Sequence, residues 1–109
     1  MEKPNLNYIN NLSGNDDAFR GKIINTLKKE LPKEVKEYYD QIEKGYFTEA
    51  AQIIHKIKHK IGIMGMEKSY YLTEEFERNL KNQSADSNAE LKVEFNKILS
   101  TMQDFVDSL

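Results

Sequence analysis

The sequence predicts an all-α protein, an antiparallel four-helix bundle with a short additional N-terminal helix. Three observations lead there. Apolar residues recur three and four positions apart through four long segments, the period of a helix with one buried face. Glycine and proline are scarce, at 5 and 2 in 109 residues, so few points break a helix. No stretch shows the strict apolar–polar alternation bounded by turn residues that marks a half-buried strand. The connections are short, which makes consecutive helices antiparallel neighbours.

The first helix is short, from Leu6 to Leu12, with Leu6, Ile9 and Leu12 on one side. Ser13-Gly14-Asn15 breaks it, because glycine and asparagine accept turn geometries that a helix does not use. Asn15 or Asp16 caps the next helix, and Asp16 and Asp17 suit its positive N-terminal dipole. That helix carries Phe19, Ile23, Leu27 and Leu31 at a spacing of four. Pro32 removes one hydrogen bond from the ladder, so a kink or a fresh helix start follows. The pattern continues through Val35, Tyr38, Tyr39 and Ile42 to a stop at Gly45. A third long segment runs from Phe47 to Met64, with Phe47, Ala50, Ile54, Ile57, Ile61 and Met64 in a stripe and Gly62 and Gly65 near its end. A fourth covers Glu67 to Lys81, with Leu72, Phe76 and Leu80 on one face. Residues 82–88 are polar and turn-like, and Ser87 with Glu90 resembles a capping box. The last helix shows Leu91, Phe95, Ile98, Met102, Phe105 and Leu109, a near-heptad stripe.

Length and composition narrow the function classes. A chain of 109 residues suits one domain with one core, spanning residues 1–109. The net charge of −2 argues against a nucleic-acid binder, which carries a basic surplus. With no cysteine there is no disulfide framework and no thiolate metal site. The start, Met1-Glu2-Lys3-Pro4-Asn5, is polar and lacks the apolar core of a signal peptide. No apolar run approaches the ~20 residues that span a bilayer. The expectation is a cytoplasmic protein with neither membrane nor nucleic acid as partner.

One run stands out: His55-Lys56-Ile57-Lys58-His59-Lys60-Ile61-Gly62-Ile63-Met64-Gly65. At about 100° per residue, and with Ile54 at the centre of the buried stripe, His55 falls about 100° away, at the border of core and solvent. Thr48, Ala51, His55, Lys58, His59 and Gly62 share that edge, since residues three and four apart are neighbours. On this reading Ala51, one turn before His55, leaves the imidazole open to a large partner. Gly62, two turns after, adds little bulk. Lys58, one turn after, offers an ammonium to a phosphoryl group on the ring. Imidazole accepts such a group only when the attacking nitrogen is unprotonated, and positive charge from Lys56, Lys58 and Lys60 disfavours imidazolium. Lysine charge near the transferring oxygens also stabilises the transition state. His55 and His59 at i, i+4 can also share a metal. Zinc would need further ligands, no cysteine supplies one, and the intervening lysines repel cations, so no metal site is expected.

The same run resembles the histidine-containing phosphotransfer (HPt) domain, whose signature H-x-[LI]-K-x-x-x-x-x-[LM]-G is met by His55, Ile57, Lys58, Met64 and Gly65. Gly45, ten residues before the histidine, fits the family's turn into that helix. The opening Leu6-Asn7-Tyr8-Ile9 through Leu12-Ser13-Gly14, and later Leu31-Pro32, are similar to the family's first helices. Nearly the whole chain is covered, although only residues 55–65 are specific. Two positions depart from the family. His59 stands where a small residue is common, and Lys60 where a small or hydroxyl residue is common. His59 is a poor alternative acceptor, because Gly62 stands where its lysine should be.

The resemblance implies a phosphorelay intermediate. His55 takes a phosphoryl group through Nε2 from a receiver-domain phospho-aspartate and passes it to another receiver. Lys58 stabilises the group, and Ala51, His59 and Gly62 govern access or tuning. The implied partners are receiver domains of a hybrid sensor kinase and of a response regulator. Magnesium comes with the receiver, and the chain itself carries no cofactor and no kinase activity. The family likeness favours a monomer. A different class of function, a non-catalytic helical interaction module that has lost phosphotransfer, is kept in play by His59.

Overall fold

The computed structural model describes residues 2–82 and 88–109. Five helices follow one another among them: α1 Asn7–Ser13, α2 Asp17–Glu43, α3 Phe47–Ile63, α4 Glu67–Lys81 and α5 Asn88–Asp107. No strand occurs among the described residues. Ser87, on which the predicted capping box with Glu90 depends, lies outside them.

Each long helix packs on the next, and α5 returns against α2, which closes the bundle; α1 packs on α2. At ~1.5 Å per residue the 27 residues of α2 extend ~40 Å, most of the 47 Å long axis. Asp16 caps α2 by accepting from the Phe19 N–H at 2.9 Å. Pro32 neither ends nor splits this helix. Its side is solvent-exposed, so water can take the Lys28 carbonyl that the ring leaves without a donor. Leu27, Leu31, Val35 and Tyr38, all buried, hold both halves against the core.

Two turns set the entry and exit of α3, and both end a helix in the same way. After α2, Gly45 has φ 77°; its N–H reaches the Ile42 carbonyl and the Tyr46 N–H that of Gln41. After α3, Gly65 has φ 74°; its N–H reaches the Gly62 carbonyl and the Met66 N–H that of Ile61. These are Schellman motifs, which require a left-handed residue and so favour glycine. Gly65 is doubly constrained, because an added Cβ would lie 2.7 Å from Asn5 Nδ2. Glu2 completes this end: its carboxylate accepts from the Ser69 N–H at 2.7 Å and the Lys68 N–H at 3.0 Å. It thereby satisfies the first turn of α4, whose own N-cap residue, Met66, makes no side-chain cap.

The core joins all four long helices. Ile54, Ile57 and Ile61 of α3 are fully buried, as are Tyr38 of α2, Phe76 of α4 and Phe95 of α5. Four predicted stripe members are exposed rather than in the core: Leu12 is 54% exposed, Phe19 40%, Tyr39 40% and Phe47 41%. Phe19 and Phe47 lie in the first turns of their helices, at ends of the bundle that solvent reaches. Leu72 is only half-buried, and the inner face of α4 is Ser69, Thr73, Phe76, Glu77 and Leu80.

Tyr38 carries a cost. Its hydroxyl is buried without a protein partner, and burial, followed by the neighbouring Tyr39, drives its ionisation far above the usual tyrosine range. An unpaired buried hydroxyl destabilises, so Tyr38→Phe is expected to gain about 0.5–1 kcal/mol. Urea unfolding midpoints measure this. A loss of about 1 kcal/mol or more would show that the hydroxyl has a partner after all.

Candidate functional site

α3 is flanked by α2 on one side and α4 on the other, and its polar residues divide accordingly. Lys60 is buried toward α2, where its Nζ meets Glu30 Oε1 and Glu34 Oε2, each at 3.0 Å. Lys58 is buried toward α4, with Nζ 3.1 Å from Glu77 Oε1 and 3.7 Å from Glu74 Oε2. Its charge also lies 5.5 Å from the centre of the Tyr70 ring, a cation–π distance. His55 stands beside this pair with its side chain 50% exposed. Its Nδ1 is 3.3 Å from Glu77 Oε2 and 3.4 Å from Oε1.

Glu77 organises the site. Its side chain is only 7% exposed, and it also takes Lys81 Nζ at 2.9 Å. Burial pushes its carboxyl up, but hydrogen bonds from Lys81 and Lys58 and their charges outweigh burial and hold it below the usual value. An ionised carboxylate only accepts hydrogen bonds. His55 therefore presents Nδ1–H to Glu77, and in the neutral ring the lone pair is on Nε2. A carboxylate that fixes the tautomer of a reactive imidazole is familiar chemistry. The outward nitrogen is not bare, however: His59 Nε2 lies 3.3 Å from His55 Nε2, with the rings edge-on at 4.8 Å and 84°.

The predicted site residues fare differently. His55 is at the core–solvent border, as the wheel placed it. Gly62 is exposed on the same edge. A Cβ there would touch the Tyr70 ring at an ordinary 3.6 Å, so the position does not demand glycine. Ala51 is fully buried, so it leaves no surface open beside the histidine. Lys58 is not a free ammonium facing solvent, because two carboxylates hold it. The wheel explains both corrections. From Ile54, Lys58 is about 40° away and Ala51 about 60°, inside the arc that neighbouring helices cover, while His55 is at about 100°. The lysine charge expected to surround the ring is also changed. Lys58 and Lys60 are paired with acids, and the charged group touching His55 is Glu77.

Glu77 was not among the predicted site residues. Its signal was indirect: a lysine within a buried arc needs an acid, and α4 offers Glu74 and Glu77 three residues apart. Two grooves flank the His59–Gly62 end of this edge. One, of about 300 Å³, is bordered by His59, Ile63 and, from α2, Ile23, Thr26 and Leu27. The other, of about 470 Å³, is bordered by Gly62, Tyr70 and the exposed Tyr8 and Tyr71. Among the described residues no three His, Asp or Glu side chains converge so as to hold a metal ion, and no helix is long and apolar enough to cross a membrane.

No family model, no curated protein and no solved structure matches this chain.

Proposed function

We propose that this protein is a phosphorelay intermediate of the HPt kind, with His55 as phosphoacceptor. One observation carries the reading: a buried, ionised carboxylate on a neighbouring helix holds Nδ1 of a half-exposed histidine and turns its Nε2 outward. That is the arrangement a histidine nucleophile needs. The Nε2 lone pair attacks the phosphorus of an aspartyl phosphate. The N–P bond forms as the bond from phosphorus to the aspartyl oxygen breaks, and that electron pair leaves on the carboxylate. The phosphorylated ring keeps its Nδ1–H and is positively charged, and Glu77 faces that charge at 3.3 Å. The reverse sequence passes the group to a second receiver.

In this scheme Lys58 acts mainly through Glu77, whose carboxylate it fixes. Reaching the phosphoryl oxygens would require it to leave Glu74 and Glu77. Magnesium would arrive with the receiver's own acidic residues. The grooves beside His59 and Gly62, with the exposed Tyr8 and Tyr71, suit a small, transient docking surface.

The test is transfer of acid-labile label from receivers charged with acetyl phosphate. Wild type should take up label, and His55→Gln should take up none. Labelling of His55→Gln to the wild-type level would move the acceptor elsewhere. Failure of wild type with several receivers, the cognate one included, leaves the non-catalytic interaction module.

A further inference from the structure

We infer that His59 is a positioning residue that masks the Nε2 lone pair of His55 in the resting protein and must swing aside before that nitrogen reacts. The regulatory meaning rests on the phosphoacceptor reading, but the masking contact does not.

Helix geometry makes the contact natural. Residues four apart are stacked on one face, and helical side chains lean toward the N-terminus. A residue at position 59 therefore covers the surface above position 55. What matters is which atom is placed there. Glu77 accepts from His55 Nδ1–H, so the neutral ring has only a lone pair at Nε2. His59 Nε2, 3.3 Å away, must then be the donor. Glu77, His55 and His59 form a chain in which each hydrogen bond fixes the next tautomer. The terminal N–H sits where an attacked phosphorus would have to come.

The ring also has somewhere to go. His59 borders the groove of about 300 Å³ against α2, next to Ile23, Thr26 and Ile63. Rotation toward that groove, whose wall also carries the Lys60–Glu30 ion pair, would uncover Nε2. A receiver seated on the edge would favour the open rotamer by occupying the space above His55. His59 would thus couple docking to reactivity, a role that a small side chain at this position could not fill.

Diethyl pyrocarbonate tests the mask without any partner, because it acylates the unprotonated imidazole nitrogen. The full chain would be treated at mildly alkaline pH, where free imidazole is neutral. Trypsin cleavage after Lys56 and Lys58 separates His55 from His59, so mass spectrometry can follow each alone. His59→Ala should raise the His55 acylation rate about three- to tenfold, the size of one neutral hydrogen bond. His59→Gln, which keeps an N–H donor, should fall between the two. Nitrogen-15 NMR of wild type should show His55 protonated on Nδ1, with its Nε2 resonance moving toward the free-lone-pair value in His59→Ala. An unchanged or slower acylation rate in His59→Ala, or a His55 protonated on Nε2 in wild type, overturns the mask. Phosphotransfer is read separately. If no receiver labels either protein, the proposed function fails, while acylation and NMR still decide the mask.

Discussion

Glu77→Ala should cost about 3 kcal/mol of unfolding free energy, because it strands a buried lysine. Lys58 and Glu77 are 8% and 7% exposed at the side chain. Two ions taken out of water are tolerable only together, and removing one partner leaves an uncompensated charge. Glu74, 3.7 Å from Lys58 but 45% exposed, offsets part of the loss, which places the cost at the lower end of the range for broken buried pairs. Replacing both Lys58 and Glu77 with methionine should recover most of it, since apolar groups of similar size often match a buried pair. A cost below about 1 kcal/mol for Glu77→Ala would mean that the pair is effectively solvated.

The same residue sets a pH dependence. Its carboxyl is held below the ordinary value in the folded protein, so on acidification the unfolded chain binds its proton first. The stabilisation is complete above the unfolded value and is lost as pH falls through the lower folded one. Glu77→Gln should remove that part of the acid slope, measured by urea unfolding across the acidic range. Glu2 is shifted down too: burial raises it, and the Ser69 and Lys68 backbone N–H groups outweigh burial. Some acid slope should therefore survive in Glu77→Gln.

Phe76→Ala should be at least as damaging, at about 3–5 kcal/mol, the usual cost of deleting a buried phenyl ring. Phe76 is fully buried. It meets Tyr38 edge-on at 6.4 Å and 75°, and Phe95 at 5.4 Å and 52°; Tyr38 and Phe95 meet at 4.9 Å. One ring from each of α2, α4 and α5 thus joins in a single cluster, and truncation opens a cavity at its centre. In a domain stable by about 5–15 kcal/mol that is a large fraction. Phe76→Leu keeps most of the volume and should cost markedly less. Equal costs for the two variants would argue against the cavity as the cause. Because Phe76 precedes Glu77, loosening it should also loosen the hold on His55, visible as exchange broadening of the imidazole resonances.

Much of the molecule was legible in the chain, and the reasons are local. A helix of one buried face writes its period directly, so Ile54, Ile57 and Ile61 announce α3. Turn chemistry is equally local, so Gly45 and Gly65 mark the boundaries. Pro32 could not be read this way, because continuation or a break depends on how firmly Leu31 and Val35 are held by other helices. Ala51 and Lys58 were misplaced for a related reason. Residue type sent the lysine outward and the angular position sent it inward, and only an acid on another helix decides between them.

The chain by itself therefore determined the helices, their order and the border position of His55, all of which follow from spacing along one segment. Only the tertiary structure decided that His55 meets Glu77. Glu77 is 22 residues away, and its direction is set by the rotation of α4 about its own axis. That rotation is fixed where Phe76 packs against Tyr38 and Phe95, contacts between helices that no local period records.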